Sequence, residues 1–233
     1  MKLLPILIFC LFCLPAFSQD EKKPRTCRVL FLERPRDAPT EAYLFDGKVS
    51  HEVQLSSMNF SDVIELPEGD LVLGLTPDPV TKPEDFPLGA PTVKISAKTN
   101  DVYLIIGSDP GNKIFPVVIK SVDIGSNRLK AGQTLWINLT GHRLAGKLGT
   151  QTLKIEPGAR IIGKAPLPAS GYYKALFMYQ PDGKGSAEPV MRQSWWHDAS
   201  SRYIGFIINN SVDLPMVFTF RDQRPPEEPE KEE

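Results

Sequence analysis

A histidine followed by an aspartate, with serines on either side, holds the functional groups of acyl-transfer chemistry. The stretch QSWWHDASSRY, Gln193 to Tyr203, contains His197, Asp198, Ser194, Ser200 and Ser201. A triad, however, needs a nucleophile, a base and an orienting group converging in space, and adjacency along one strand or turn does not supply that geometry. The chain has no G-x-S-x-G elbow to expose a serine on a strained strand–helix turn. Asp198 ahead of ASSR reads as a turn residue whose carboxylate accepts backbone N–H groups. The sequence therefore assigns no catalytic residue and gives the expectation of a non-enzyme.

Metal chemistry has equally little support. His51, His142 and His197 are far apart, with no H-E-x-x-H, no paired cysteines and no D-x-[DN]-x-[DN]-G loop, so neither metal nor cofactor is expected. The GKLG of Gly146 to Gly149 lacks the spacing of a phosphate-cradling loop.

The tryptophans carry the remaining signal, and their meaning depends on the strands that hold them. If Val190 to His197 is a strand, side chains alternate between its faces: Trp195 lies with Met191 and Gln193, Trp196 with Ser194 and Arg192. Trp196 is then the outward ring. In QTLWINL the residues Leu135, Ile137 and Leu139 form an apolar face and leave Trp136 beside Asn138 and Thr140, which predicts a second outward tryptophan. Trp136, Trp195, Trp196 and His197 are accordingly the ligand or interface candidates. Exposed rings of this kind suit a stacking platform for sugars or an interface. The strand YYKALFMY is apolar on both faces, which predicts a partly covered outer surface and favours the interface.

Between two good strands, Thr76 to Pro91 (TPDPVTKPEDFPLGAP) carries five prolines and the acids Asp78, Glu84 and Asp85. Connections this long are commonly functional or mobile, and prolines block strand addition. The segment is expected to shield a sheet edge, with Asp78, Glu84 and Asp85 as the alternative partner contacts.

No window shows a helical apolar stripe, whereas short period-2 runs recur, separated by Gly, Pro and Asp turns; this predicts an all-β fold. Seven strands are expected before residue 123 and eight after residue 132. VIELPEGDLVLGL and LKIEPGARIIGKA echo one another as strand, Pro-Gly turn, strand. The expectation is two antiparallel, Ig-like β-sandwich units in tandem, at 27–122 and 127–221, with one larger sandwich as the alternative.

The ends set the context. One lysine and then an apolar run from Leu3 to Ala16 are too short to span a bilayer and predict a signal peptide cut after Ser18. Residues 19–26 read as a polar linker. Once Cys10 and Cys13 are removed, Cys27 is alone and reads as a small core residue. Residues 222–233 carry six acids, two bases and three prolines, the composition of a disordered tail. The body between has a net charge of +2, which gives no broad basic field for nucleic acid.

RVLFLERPRDAPTEAYLFDG, Arg28 to Gly47, with ELPEG at Glu65 to Gly69, resembles an exported bacterial β-sandwich family of unknown function. That family's pattern is a strand, a PDAP-type turn, an alternating strand ending in DG and later an LPAG-type turn; here Arg36 interrupts the Pro-Asp step. The second half is similar only to uncharacterised exported proteins. The resemblance implies export and a β fold, and brings no catalytic residues. The sequence as a whole predicts an exported periplasmic or cell-surface protein with no transmembrane segment after signal removal, binding an envelope protein. A polysaccharide-binding module is the second reading, and a hydrolase with an unrecognised site the third.

Overall fold

The computed structural model describes residues 24–125, 129–181, 186–210 and 212–223; the expected signal peptide and nearly all of the expected tail lie outside them. The described chain is all-β: sixteen strands in four four-stranded sheets, with one 3-10 turn at Pro83–Asp85. In the first half the strands are β1 (Arg25–Phe31), β2 (Glu41–Phe45), β3 (Ser50–Gln54), β4 (Ile64–Leu66), β5 (Leu71–Thr76), β6 (Thr92–Ile95), β7 (Asp101–Ser108) and β8 (Val117–Asp123). The second half has β9 (Thr134–Asn138), β10 (Arg143–Leu148), β11 (Gln151–Ile155), β12 (Arg160–Gly163), β13 (Gly171–Gln180), β14 (Glu188–His197), β15 (Arg202–Asn209) and β16 (Pro215–Asp222).

Three apolar clusters order the sheets. Layer I (β3-β2-β5-β6) and layer II (β4-β1-β7-β8) share a core that includes Phe31, Leu44, Leu73 and Leu104. Layer II also packs on layer III (β12-β9-β15-β16) through Leu30, Tyr103, Ile137 and Phe206. Layer III packs on layer IV (β11-β10-β13-β14) through Trp136, Leu144, Phe177 and Ile207. The alternation of side chains explains this double use: Val102, Leu104 and Ile106 of β7 face layer I, while Tyr103 and Ile105 face layer III. Strands buried on both faces read as continuous apolar runs, as VYLII and IGFII do.

The two halves repeat one topology. Numbered from its own first strand, each has a 3-2-5-6 sheet outside and a 4-1-7-8 sheet inside, and each pairs its first strand parallel to its seventh. The sequence echo does not mark this repeat: VIELPEGDLVLGL spans β4 and β5, whereas LKIEPGARIIGKA spans β11 and β12, one strand out of step. Those segments are two similar turns.

Four expectations at the level of elements need correction. The expected linker is already strand from Arg25, whose guanidinium donates to the carbonyls of Gly69 and Ser96. The expected tail begins one residue early, because Asp222 is the buried last residue of β16. Strand β3, SHEVQ, was not expected: it is an edge strand that buries only Val53, so no alternation shows. The Pro-rich segment lies on a sheet face instead of an edge. Phe86 stacks on Phe45 at 5.7 Å and sits where a Cβ on Gly74 would meet its ring at 2.1 Å, on the outer side of layer I. Val80 is pinned to β3 through Ser50, its N–H donating to Ser50 Oγ at 2.8 Å. Asp78, Glu84 and Asp85 are exposed around this cover. Cys27 is buried in the first core, as its apolar reading required.

Candidate functional site

Strand β14 carries the tryptophan–histidine stretch along the free edge of layer IV, paired only with β13. Alternation sends Trp195 inward and Trp196 outward, as expected, and turns His197 inward with Trp195. Trp196 is 52% exposed and Tyr172, its cross-strand partner on β13, is 72% exposed. The two rings meet edge to face at 4.9 Å, a favourable quadrupolar arrangement. Trp195 turns into the third core, stacked 6.5 Å from Trp136, with its Nε1 donating to Gln193 Oε1 at 3.0 Å.

Trp136 is the candidate that the structure overturns. It is 1% exposed, because β9 is an interior strand of a layer covered on both sides. Its indole fits by lying over Gly205 of β15: a Cβ there would approach Trp136 at 2.3 Å. Its polar neighbours on the strand are buried too, and Asn138 donates to the carbonyls of His142, Ile155 and Glu156. A two-tryptophan platform of Trp136 and Trp196 is therefore not available.

His197 is 2% exposed and its Nε2 has no hydrogen-bond partner. It packs against Gly132, with Tyr173 and Tyr203 about 6 Å away, ring centre to ring centre. Burial lowers its pKa, the charge of Asp198 raising it by less, so the ring is neutral at pH 7. Burial, reinforced by the charge of Tyr203, likewise pushes the Tyr173 phenol well above its ordinary value.

The serines serve Asp198. Ser200 N–H and Oγ–H donate to one carboxylate oxygen at 3.0 and 2.7 Å, and Ser201 Oγ–H donates to the other at 3.0 Å. Those bonds, Ser200 first, hold the Asp198 carboxyl below its ordinary pKa, with the Arg221 charge adding to them. Among the described residues no hydrogen bond joins His197 to Asp198 or to a serine; the Asp198 turn is the one the sequence led us to expect.

Between the edges of layers III and IV, a cleft of about 250 Å³ runs beneath Trp196. Its walls bring the aromatic rings of Tyr173, Trp195 and Tyr203 together with His197, Thr134 and Thr219. Among the described residues no charged side chain lines it. Sequence reasoning missed this convergence: Tyr173, Thr134 and Thr219 lie on three different strands, and only the register of the sheets joins them to the β14 stretch. The other candidate histidines sit elsewhere. His51 contacts Asp46 at 3.0 Å. His142 packs edge-on against Tyr179, which pairs with Glu188 at the opposite end of β14 from His197. Among the described residues no group of His, Cys, Asp and Glu is placed to hold a metal ion, and no helix is long and apolar enough to cross a membrane. No protein-family model matches this chain, and no curated protein matches it.

Proposed function

We propose that this is an exported cell-envelope protein that acts by binding, with its contact surface centred on Trp196 and Tyr172. The observation that carries the reading is the pair itself: two large aromatic rings, more than half exposed, held together at the free edge of a sheet. Leaving such rings in water forgoes the stabilisation that burial would give, about 2 kcal/mol each, and contact with a partner recovers it. The cleft beside them offers hydroxyl donors and acceptors without charge, the lining that a sugar ring needs below a stacked aromatic. That lining favours a carbohydrate over a protein partner. The resemblance of Arg28 to Gly47 to exported β-sandwich proteins supports the envelope setting.

The test is protection of Trp196 from acrylamide quenching by soluble envelope polysaccharides, neutral and charged. Protection that disappears in Trp196→Ala and weakens in Tyr172→Ala supports the proposal. Quenching unchanged by every polysaccharide would overturn the carbohydrate reading.

A further inference from the structure

The duplicated scaffold treats its two outer faces differently. Layer I is covered by its β5–β6 connection, residues 77–91, through Phe86 and Val80. The corresponding β13–β14 connection is residues 181–187, less than half as long. Among the described residues nothing covers the outer face of layer IV, where Tyr172, Lys174, Arg192 and Trp196 are exposed, against the expectation that the apolar strand YYKALFMY would be partly covered.

That face is cationic. Lys147 of β10, Lys154 of β11, Lys174 of β13 and Arg192 of β14 are all exposed, and the alternation places them outward with Trp196. None of the four forms an ion pair among the described residues. Arg143 shares the face but is engaged by Glu156 at 2.7 Å. The register lays the face out in rows. Tyr172 is level with Trp196, Lys174 with Ser194, and Lys147 with Leu176 and Arg192; Lys154 is level with Ala145 and Met178. Successive rows are two residues apart, about 7 Å, so cations recur over some 20 Å beyond the aromatic pair. Leu176 and Met178 lie half-buried between them and make an apolar floor.

Resting on the proposed binding at Trp196, we infer that the ligand is an anionic polysaccharide. One sugar stacks at Trp196 and Tyr172, and the acidic groups of the following sugars pair with Lys174, Arg192, Lys147 and Lys154. The charge complementarity selects a polyanion, and the uncharged, hydroxyl-lined cleft next to Trp196 selects a glycan among polyanions.

The experiment titrates the whole protein with polygalacturonate and with its methyl ester, which removes the charge and keeps the chain, reading tryptophan emission. A glycan carrying phosphodiesters distinguishes phosphate from carboxylate as the anion. The expected result is binding of polygalacturonate or the phosphodiester glycan at least 10-fold tighter than the methyl ester. That binding weakens about 10-fold or more from about 50 to about 300 mM salt. The double variant Lys147→Glu with Lys174→Glu, both exposed and so not expected to disturb folding, loses it by a similar factor. Equal affinity for the methyl ester, or indifference to the double variant, overturns this inference while leaving the Trp196 reading intact. Preference for duplex DNA or anionic vesicles, sensitive to the double variant, overturns it in favour of another partner. If no glycan changes the Trp196 emission, both readings fall.

Discussion

Arg202 and Asp222 stand opposite one another on β15 and β16, and Nη2 of Arg202 donates to Oδ2 of Asp222 at 2.6 Å. The pair is the centre of a polar seam between layers II and III. Arg28 of β1 donates to the other oxygen of Asp222, Tyr103 of β7 donates to Asp222 at 2.6 Å, and Arg202 reaches Asp101 at 3.1 Å. Two cations and two carboxylates balance. Burial alone would lower the pKa of Arg202, and the charges of Tyr103, Asp222 and Asp101 reverse that and raise it. The first and last strands of the described chain are thus joined through one carboxylate, within the apolar contact of the two halves.

Removing Asp222 leaves the buried Arg28 guanidinium without its anion and Arg202 with Asp101 alone, a loss of about 3–5 kcal/mol by comparison with other broken buried pairs. A chain ending at Arg221 is therefore expected to unfold at a clearly lower urea concentration than a chain ending at Gln223. Asp222→Asn in the full chain should lose stability in the same direction. Equal urea midpoints would show that the seam contributes nothing.

Gly205→Ala tests how Trp136 is buried. The added methyl would stand 2.3 Å from the indole, and overpacking of this kind costs about 1–3 kcal/mol. Trp136→Phe removes the atoms that collide, so the two substitutions together should cost less than the sum of their separate effects. Additive losses in urea unfolding would place the strain elsewhere.

Trp136 also shows what was legible in the sequence and what was not. The all-β class, the positions of the strands other than β3 and the outward turn of Trp196 follow from local alternation, and the structure agrees. Alternation assumes, however, that one face of each strand meets water. Leu135, Trp136 and Ile137 lie in a layer with an apolar cluster on each side, so both parities are interior. The missing evidence was long-range: parallel pairing of β9 with β15 puts two apolar runs side by side at the centre of a stack. Asp222 was hidden for the converse reason, since a lone acid ahead of an acidic, Pro-rich segment has no local mark of a distant arginine. The cleft has the same origin, because Tyr173, Tyr203 and His197 converge only through sheet register.

Phe86→Ala is expected to release the cover of layer I. The ring fills the space above Gly74 and stacks on Phe45, and its loss leaves residues 77–91 held by the Ser50–Val80 hydrogen bonds and by Asn112, which donates to the Gly89 carbonyl. Limited proteolysis should then cut within 77–91 severalfold faster, while the urea midpoint changes by much less than in the Asp222 variant. Protection equal to the parent would show that the prolines alone fix the segment.

His197 predicts an acid sensitivity with a definite sign. Burial lowers its pKa in the folded protein, so on acidification the unfolded chain takes up a proton first, near the ordinary histidine value of about 6.5. The stability associated with the neutral ring is present above that pH and is lost as pH falls toward the folded-state pKa. Urea midpoints should therefore drop between about pH 7 and pH 5, and the drop should be shallower in His197→Gln. A slope unchanged by the substitution would assign the acid sensitivity to other groups.

The three tryptophans should report their positions separately. Trp136 is enclosed, Trp195 is half-buried against it, and Trp196 stands in solvent beside Tyr172. Acrylamide should therefore reach one fraction of the emission readily and the remainder poorly, with that accessible fraction at the longer wavelengths. Trp196→Phe keeps an aromatic ring on the face and should remove most of the accessible fraction, leaving blue-shifted, protected emission. Trp136→Phe should do the reverse, leaving the readily quenched fraction in place. If Trp196→Phe left the accessible fraction unchanged, the outward side of β14 would be covered in solution, and the contact surface proposed for this protein would lie elsewhere.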